Sequence, residues 1–444
     1  MSEKVALINC PMWDVEFPPY NIALIRSVLR KNNFESDCFD LNRDFYASVP
    51  GEQHLWSLSD IYAFWQSKEE VGKLILRHKT VIDGFLLQLE PYDILGFTLQ
   101  SLNFTFTLIL IKAIRKVSPH KIILAGGPEC FRNFNPEYLM QCACFDALCY
   151  GEAEEALPEL LYKTRQRRTW KTPGFFIKED QNYIDCAPAH LVENLDNLPF
   201  ADFSFLKKDT ERICVSTSRG CIGNCSFCHE KGHWDAFRYR SAGSVVEEIS
   251  LLKERFPFLR FVYLNDSLIN GNTEEFSRFC ELMIRKKLGI NWGGHMLIRK
   301  EMTKGFLKEM KQAGAERLNF GVESGSNQVL QLMRKAFRRE DALRILADTK
   351  RAGISFSVNF VIGHPGENAE EFEETRRFLV RIRQLTDCVH INPCYVLRGS
   401  ELYSNHKKWG IVLPENYVTD WFLSDGSNNP QIRMERVRQL LRDG

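Results

Sequence analysis

The chain has 444 residues and a formal net charge of +1, with 44% hydrophobic and 26% charged residues. A chain of this length exceeds one ordinary hydrophobic core and predicts two domains. Its charge balance gives no field that favours nucleic acid or an anionic membrane, and its apolar runs are too short to span a bilayer. The 14 cysteines, with no signal peptide ahead of the first apolar run, predict free thiols in a reducing compartment. We therefore expect a cytoplasmic globular protein with no nucleic-acid partner and no membrane span.

Short apolar runs alternate with helical patterns over residues 1–165. The runs that predict strands lie near residues 5–8, 35–41, 92–98, 121–125 and 145–150. Such alternation predicts an α/β fold with an open parallel sheet of the Rossmann-like, flavodoxin-like type, which binds ligands where its strands end. An insertion at about residues 43–90, with a helix over residues 68–89, is predicted to be a helical subdomain whose aromatic side chains are core.

Short motifs stand where these predicted strands end. They are Pro18-Pro19 before the first helix, Asp40, Gly96-Phe97-Thr98, Gly126-Gly127-Pro128 and Gly151-Glu152-x-Glu154. Turn chemistry explains each motif alone, but together they resemble the cobalamin-binding domain that precedes many radical S-adenosylmethionine (SAM) barrels. The resemblance implies a cobalamin site formed by Met12, Trp13, Glu16, Thr98, Ser101, Asn103, Gly126, Gly127, Gly151 and Glu152.

The loop after the first strand predicts how cobalt would be held. Many cobalamin domains carry a histidine there that ligates cobalt, whereas in this chain Glu16 takes that place and residues 9–19 contain no histidine. A carboxylate is a poor substitute for a neutral nitrogen donor, and Met12 and Trp13 can cover the lower face with apolar surface. We therefore expect cobalamin to bind with its base displaced and with no protein nitrogen on cobalt.

A cysteine-rich loop follows a predicted linker over residues 166–205. Cys221, Cys225 and Cys228 have C-x3-C-x2-C spacing. Three thiolates leave one corner of a [4Fe–4S] cubane open, which indicates a catalytic cluster, because a structural cluster uses four thiolates. The weaker alternative is a zinc loop completed by His229 or His233, since the x3 gap and the single triplet fit zinc poorly.

This loop, including Phe227 before its last cysteine, resembles the signature of the radical SAM enzymes. The resemblance implies that the three cysteines bind a [4Fe–4S] cluster whose open iron binds SAM. Further strands, predicted near residues 213–217, 260–265, 289–296, 317–323, 354–362 and 388–395, resemble the partial (β/α)6 TIM barrel of that family, here over residues 206–404. The tail, residues 405–444, has no role that its sequence predicts. Motifs that match the family imply a SAM site of Phe227, Asn265, Asp266, Glu323, Ser324, Asn359, Val361 and Ile362.

Period-two alternation predicts which side chains of the barrel strands enter the lumen. The inward set is Asn319, Gly321 and Glu323 on one strand, Ser357, Asn359 and Val361 on the next, and His390, Asn392 and Cys394 on the last. Because buried polar groups need partners, we expect substrate contacts from His295, Asn319, His390, Asn392 and Cys394. A polar network that closes the seam of the barrel is the alternative.

The two resemblances together imply a cobalamin-dependent radical SAM enzyme that methylates an unactivated carbon of a small-molecule or peptide substrate. In that family cobalamin takes a methyl group from one SAM, a second SAM gives the radical, and flavodoxin or ferredoxin supplies the electron. Two alternatives stay open, namely a rearrangement or cyclisation with the same cofactors, and a cobalamin or redox sensor with a silent cluster. A methylthiotransferase fits less well, because its usual N-terminal cysteines and RNA-binding tail are missing from this sequence.

Overall fold

A computed structural model describes residues 4–58, 60–131, 136–166, 170–180, 182–188 and 190–442. The chain divides into two units, Met1–Cys214 and Val215–Gly444. Each unit has its own sheet, and the division falls inside the strand that begins the second sheet.

The first unit is built on a seven-stranded sheet in the order β2-β1-β3-β4-β5-β6-β7. Strands β1 to β5 run parallel, with Val5 beside both Ser36 and Ile94 in register. The order 2-1-3-4-5 is that of flavodoxin-like folds and confirms the predicted fold class. The last two strands form an antiparallel hairpin within the segment predicted to be a linker. The strand bounds are β1 (Val5–Asn9), β2 (Ser36–Asp40), β3 (Ile94–Thr98), β4 (Ile122–Gly126), β5 (Ala147–Cys149), β6 (Phe175–Glu179) and β7 (Asn182–Asp185).

Helices cover both faces of this sheet, as its sequence requires. Along β1, Val5 and Leu7 belong to one apolar cluster, whereas Ala6 and Ile8 belong to another. A strand buried on both faces reads as a continuous apolar run, which is why the central strands were predictable. The helix bounds are α1 (Tyr20–Lys31), α2 (Leu41–Ser48), α3 (Ile61–Trp65), α4 (Lys68–Arg77), α5 (Lys79–Gln88), α6 (Phe104–Val117), α7 (Pro136–Gln141) and α8 (Ala153–Arg165), with 3-10 turns at Pro50–Ser57, Pro128–Cys130 and Leu195–Asn197.

The insertion between β2 and β3 is the expected helical subdomain with an aromatic core. Trp56 and Trp65 are buried, their rings lie 5.0 Å apart, and the Trp65 indole N–H donates to the Leu55 carbonyl oxygen. The single helix predicted over residues 68–89 is wrong in one respect. At His78 the backbone leaves helical geometry (φ −109°, ψ 32°), so the segment forms α4 and α5.

The second unit is a six-stranded sheet in the order β15-β14-β13-β12-β11-β8. Neighbouring strands from β11 to β15 are parallel, and β8 and β15 stand at the two ends of the row, which is the arrangement of a partial barrel. These strands confirm the predicted series, with bounds β8 (Arg212–Val215), β11 (Phe261–Leu264), β12 (Asn291–Met296), β13 (Ala315–Glu323), β14 (Ser355–Ile362) and β15 (Cys388–Pro393). Two small antiparallel pairs are β9 (Ser218–Arg219) with β10 (Arg238–Tyr239), and β16 (Ile411–Val412) with β17 (Phe422–Leu423).

Amphipathic helices follow the strands, and α11 shows how the sequence sets their limits. The Asn272 side chain accepts hydrogen bonds from the backbone N–H groups of Glu274 and Glu275, which caps the helix start, and Lys287 ends the helix with φ 51°. The helix bounds are α9 (Glu230–His233), α10 (Ala242–Arg255), α11 (Thr273–Lys286), α12 (Lys304–Gln312), α13 (Asn327–Leu332), α14 (Arg339–Arg351), α15 (Ala369–Arg383), α16 (Glu401–Ser404), α17 (Tyr417–Asp420) and α18 (Pro430–Arg442).

The tail packs on the last strands of the second sheet. The Trp421 indole N–H donates to the Cys394 carbonyl oxygen (2.9 Å), and the Asn428 amide donates to the Gly363 carbonyl oxygen (2.9 Å). Arg433 on α18 is 1% exposed and lies over the Trp421 ring at 3.8 Å. The tail is therefore an integral part of this unit.

Candidate active site

The three cysteines lie in a loop that glycine shapes. The Gly223 N–H donates to Cys221 Sγ (3.2 Å), and a Cβ at position 223 would lie 3.3 Å from that sulfur and 3.7 Å from Cys225 Sγ. Gly220 has φ +79°, where a side chain would meet the Ala236 carbonyl oxygen at 2.9 Å. The loop therefore wraps closely around its sulfurs, as a cluster-binding loop must.

The environment of the thiols suits ligands that are deprotonated only when metal is bound. Burial raises the pKa of Cys228 to about 12; a hydrogen bond from the Glu230 backbone opposes the rise, and the nearby Cys225 and Cys221 add to it. Burial also raises the pKa of Cys221. Three thiolates this close repel one another, and iron would relieve that repulsion because thiolates are the ligands of iron–sulfur clusters. The donor set therefore fits a [4Fe–4S] cluster.

A second group of potential metal ligands stands directly after the loop. His229, Glu230 and His233 offer ligand atoms that all lie within 4.8 Å of one another. Burial lowers the pKa of both imidazoles, to about 4 for His233, so both are neutral at pH 7. The two histidines that sequence reasoning offered as zinc ligands thus group with Glu230.

Asp266 supports the cluster loop through the segment ahead of it. Its carboxylate accepts hydrogen bonds from Ser216 Oγ (2.8 Å), from the Thr217 N–H (2.9 and 3.0 Å) and from Thr217 Oγ1 (2.5 Å), and Asp266 is 6% exposed. Both oxygens are engaged by the chain, so this side chain holds the loop in place, and its contact with SAM stays a prediction. Asn265, the preceding residue, is exposed at the end of β11.

Glu323 belongs to a buried ion pair beside the cluster loop. Lys335 Nζ lies 3.1 Å from Glu323 Oε1 and 3.2 Å from the Gly321 carbonyl oxygen, and it stands 5.7 Å from the centre of the Phe227 ring. Burial acts to lower the pKa of Lys335, but Glu323 and the thiols of Cys225 and Cys228 raise it overall. Sequence reasoning missed Lys335, which carries no motif and lies 12 residues after its partner.

The backbone at Glu323 is unusual in a way that aims its side chain. Glu323 has φ 72°, a left-handed conformation uncommon for a residue other than glycine, and the β13–β14 register shifts between Gly321 and Glu323. A Cβ at Gly321 would lie 2.5 Å from Glu323 Oε1. The carboxylate therefore occupies space that only glycine leaves open, at a position where strain is often found in functional sites.

Two further residues predicted for the SAM site face elsewhere. Ser324 is fully buried, and its hydroxyl pairs with Thr375 Oγ1 (3.0 Å) and accepts from the Ser326 N–H (3.1 Å), so it fastens the turn to α15. Ile362 is fully buried on the same side of β14 as Phe360. Both side chains are committed to packing, and the contact of these two residues with SAM stays a prediction. Asn359 and Val361 alternate with these apolar residues and are half-buried.

A row of polar side chains crosses the barrel strands. His295 pairs in register with Asn319, and Asn359 pairs with His390, while the Asn359 amide donates to Asn319 Oδ1 (2.8 Å). Burial lowers the pKa of His295, and the nearby His390 acts in the same direction. The period-two prediction is confirmed on β13 and β14, because Leu318, Phe320, Phe356 and Val358 are buried between the members of this polar row. His390 and Asn392 are exposed.

Cys394 does not share the face of His390 and Asn392, contrary to prediction. Its side chain is fully buried in an apolar cluster with Val396, Leu402 and Trp421. The reason is that β15 ends at Pro393, so strand alternation no longer applies one residue later.

A cavity of about 100 Å³ lies inside the first unit, at the carboxyl ends of β3 and β4. The Asn21 amide donates to Thr98 Oγ1 (2.6 Å), and its Oδ1 is buried without a hydrogen-bond partner among the described residues. Gly127 has φ +101°, and a Cβ there would lie 2.6 Å from the Leu99 carbonyl oxygen. The cavity is lined by Val5, Leu7, Asn21, Ile22, Ile25, Gly96, Phe97, Thr98, Leu124, Ala125, Gly126, Cys149, Ala153, Leu157 and Phe175.

Other residues predicted to contact cobalamin are used by the chain itself. The Asn103 amide donates to the Thr98 carbonyl oxygen (3.0 Å) and its oxygen accepts from the Gln100 N–H (2.9 Å), so this side chain closes its own loop. Glu152 is 5% exposed and accepts from the Val192 N–H (2.6 Å). Both side chains thus stabilise loops of the chain, and their contact with cobalamin stays a prediction.

The loop after β1 is held by backbone contacts. The Met12 carbonyl oxygen accepts a hydrogen bond from the Gln100 side-chain amide. The Trp13 N–H donates to Asn42 Oδ1, and the Asn42 amide donates to the Trp13 carbonyl oxygen. Met12 is buried, Trp13 is half-buried, and Glu16 pairs with Arg212. Ser101 and Gly151 are half-buried near strand ends.

A cysteine triplet directly after the first strand of a partial parallel barrel, with a buried ion pair next to it, defines the class of protein. The sequence profile of the Radical SAM superfamily matches residues 215–379. The second unit therefore contains a radical SAM domain, and the prediction of SAM and a [4Fe–4S] cluster as its cofactors is confirmed. Among the residues that the structure describes, no helix is both long and apolar enough to cross a membrane.

Similar proteins extend the likeness over both units. An uncharacterized methyltransferase of Pyrococcus horikoshii is 28% identical over 350 residues, which cover 76% of this chain and 72% of that protein. An anaerobic magnesium-protoporphyrin IX monomethyl ester cyclase of Rubrivivax gelatinosus is 26% identical over 60% of this chain and 50% of its own length. The chain thus spans about half the length of this second relative.

A solved structure shares the fold over the whole chain. It is the radical SAM methyltransferase TsrM from Kitasatospora setae, with cobalamin and a [4Fe–4S] cluster bound. The TM-score is 0.74 at 15% identity, with 100% of this chain and 89% of that chain covered. The arrangement of a flavodoxin-like unit ahead of a partial barrel is therefore a known fold.

Proposed function

We propose that this chain is a cobalamin-dependent radical SAM methyltransferase. The observation that carries the proposal is the presence, in one chain, of a radical SAM unit and a flavodoxin-like unit with a cavity where its strands end. The shared fold with a methyltransferase solved with cobalamin bound supports it, as does the methyltransferase relative.

Two features of the first unit suit cobalamin, namely its cavity and a buried polar atom, Asn21 Oδ1. The cavity has mainly apolar walls, which fit a planar aromatic base that has left cobalt. Asn21 Oδ1 offers a buried acceptor without a partner, and such an atom is costly unless a ligand satisfies it. Gly126 lines the same cavity. We assign cobalamin contacts to Asn21, Thr98, Gly126 and Gly127.

The second unit orients SAM beside the cluster. When bound, the cluster and SAM supply radical chemistry and cobalamin supplies a transferable methyl group. Lys335 and Glu323 form a fixed pair of opposite charges next to Phe227, which suits the amino and carboxylate groups of an amino-acid ligand. Use of two SAM molecules per turnover, with an electron from flavodoxin or ferredoxin, is part of this proposal.

The polar row of His295, Asn319, Asn359 and His390, with Asn392, is the candidate substrate surface. The asparagine amides supply neutral donors and acceptors, and burial lowers the pKa of His295, which favours its neutral form. A small molecule or peptide with hydrogen-bonding groups matches this chemistry. The cyclase relative favours one second candidate, a non-methylating cyclisation with the same cofactors.

The products of SAM decide among these functions. The holoenzyme is reconstituted anaerobically with iron, sulfide and cobalamin, reduced, and incubated with SAM and small-molecule extracts. A methyltransferase yields both 5′-deoxyadenosine and S-adenosylhomocysteine, a cyclase yields only the first, and a sensor yields neither. Absence of S-adenosylhomocysteine with every extract would contradict the proposal.

Filling the cavity should remove cobalamin while leaving the cluster intact. Ala153 lines the cavity, so Ala153→Phe should lower cobalamin affinity on the order of tenfold or more, because a phenyl group takes the ligand's space. Ala63→Phe, at an exposed position of α3, is the matched control. Bound cobalamin is measured by its visible absorbance after gel filtration, and iron content checks the second unit.

The loop of residues 9–19 leads to a further prediction about bound cobalamin. It contains no histidine, and Met12 is buried within it. Electron paramagnetic resonance (EPR) of the Co(II) form should lack the superhyperfine splitting that an axial nitrogen produces. Nitrogen splitting in that spectrum would show that a protein or nucleotide nitrogen binds cobalt.

A further inference from the structure

His364 makes two hydrogen bonds that fix its tautomer. Its side chain is fully buried, with Nδ1 2.8 Å from the Pro365 carbonyl oxygen and Nε2 2.8 Å from Ser226 Oγ. A carbonyl oxygen only accepts, so Nδ1 carries the proton and the Ser226 hydroxyl donates to Nε2. His364 is therefore committed, at both nitrogens, to linking two segments of the chain.

Ser226 lies inside the cluster loop, between Cys225 and Cys228. It is fully buried, its N–H donates to the Met333 carbonyl oxygen (3.2 Å), and its own carbonyl oxygen accepts from the Leu402 N–H (3.0 Å). The hydroxyl also lies 3.1 Å from the Leu332 carbonyl oxygen, but its single proton can serve only one acceptor at a time. The His364 bond thus decides which way this hydroxyl points.

The loop that carries His364 is in turn held by the C-terminal segment. Arg436 on α18 donates to Glu367 Oε1 (2.9 Å) and to the Glu367 carbonyl oxygen (3.1 Å), and Glu367 Oε1 also accepts from the Gly363 N–H (2.9 Å). The Trp409 ring meets His364 edge to face at 5.4 Å. A continuous set of contacts therefore runs from residues 405–442, through residues 363–367, to the cluster loop.

We propose that His364 is a positioning residue that makes the C-terminal segment part of the cluster site. The Ser226–His364 hydrogen bond holds the cluster loop, between Cys225 and Cys228, at a fixed distance from the end of β14. The tail in turn holds residues 363–367, which follow β14, in place. The inference rests on the cluster assignment to Cys221, Cys225 and Cys228, but it does not depend on cobalamin or on the substrate.

The test uses three variants of the reconstituted holoenzyme. His364→Phe keeps a ring against Trp409 but loses the bond, Ser226→Ala loses the same bond from its other end, and His364→Gln can restore an amide near the Nε2 position. His406→Phe is the matched control, since that imidazole has its Nδ1 2.9 Å from the carbonyl oxygen of nearby Tyr403 on α16. SAM affinity, and the SAM-induced change in the EPR spectrum of the reduced cluster, are measured on each.

If the proposal is right, His364→Phe and Ser226→Ala both lose SAM affinity while they keep their full iron content. SAM affinity should fall about five- to tenfold, the range for one buried hydrogen bond, and the EPR change should diminish. The double variant should be no worse than either single one, because one bond is lost in all three. His364→Gln and His406→Phe should stay close to the parent protein.

Several results would overturn the proposal. Parent-like SAM affinity and EPR in Ser226→Ala would do so even if His364→Phe failed to fold, and additive losses in the double variant would show that the two residues act separately. A parent protein that holds no iron would instead refute the cluster assignment, which the iron content of the parent reports first.

Discussion

Gly321 leaves room for the Glu323 carboxylate, so a single methyl group at position 321 should disturb the proposed SAM site. A Cβ there would lie 2.5 Å from Glu323 Oε1 and 3.4 Å from Lys335 Nζ. Gly321→Ala should lower SAM affinity on the order of tenfold, because a charged contact is displaced. Equilibrium binding of SAM to the holoenzyme measures the effect.

The control for this variant is Gly243→Ala on α10, where an added Cβ meets nothing within 4 Å. Alanine also favours a helix over glycine, so this control should bind SAM normally and unfold no more easily. Equal SAM affinity in both variants would show that Glu323 has no part in SAM binding.

Residues with local patterns were predictable, and residues with distant partners were not. The C-x3-C-x2-C spacing alone predicts the three cluster cysteines, Cys221, Cys225 and Cys228. Lys335 contacts Glu323, 12 residues away, and His364 contacts Ser226, 138 residues away. No short sequence motif can therefore predict either contact. Asp266 was found by its motif, but the motif does not say that Ser216 and Thr217 use its oxygens.

Helix α18 shows the same limit at the scale of an element. Its basic sequence predicts no role, yet Arg433 is buried and donates to Asn428 Oδ1 (3.1 Å) and to the carbonyl oxygens of Thr419 (2.7 Å) and Trp421 (2.8 Å). Central strands of the first sheet such as β1 were predicted well, because burial on both faces leaves a continuous apolar run. A helix whose anchor is an arginine leaves no such pattern.

Removing this anchor should loosen the tail from the second unit. Arg433→Met fills similar space but leaves three acceptors unpaired, so the free energy of unfolding should fall by about 3 kcal/mol. Urea unfolding, followed by tryptophan fluorescence, measures the change. Arg438→Met, at an exposed position of the same helix, should change it by less than about 0.5 kcal/mol.

At the scale of the whole molecule, each candidate cofactor site is built from residues of one unit. The three cluster cysteines belong to Val215–Gly444, whereas the cavity residues belong to Met1–Cys214. Replacing all three cysteines by alanine should therefore abolish bound iron and leave cobalamin affinity unchanged. Iron analysis measures the bound iron, and visible absorbance measures the bound cobalamin. If about four irons per chain remain in this variant, the protein holds another cluster.

The hairpin of β6 and β7 has a consequence for how the protein behaves at high concentration. A parallel sheet that ended at β5 would present a row of unpaired N–H and C=O groups, a template on which another chain can add a strand. Here β6 occupies that edge, pairing Ile177 with Ala147, and the short β7 covers it in turn. The parent protein should therefore show a particle size in light scattering that does not grow with concentration. Lys178→Pro removes the hydrogen bond from the Lys178 N–H to the Asp146 carbonyl oxygen (2.9 Å). This change loosens β6 from β5 and should turn the same sample into a slowly aggregating one.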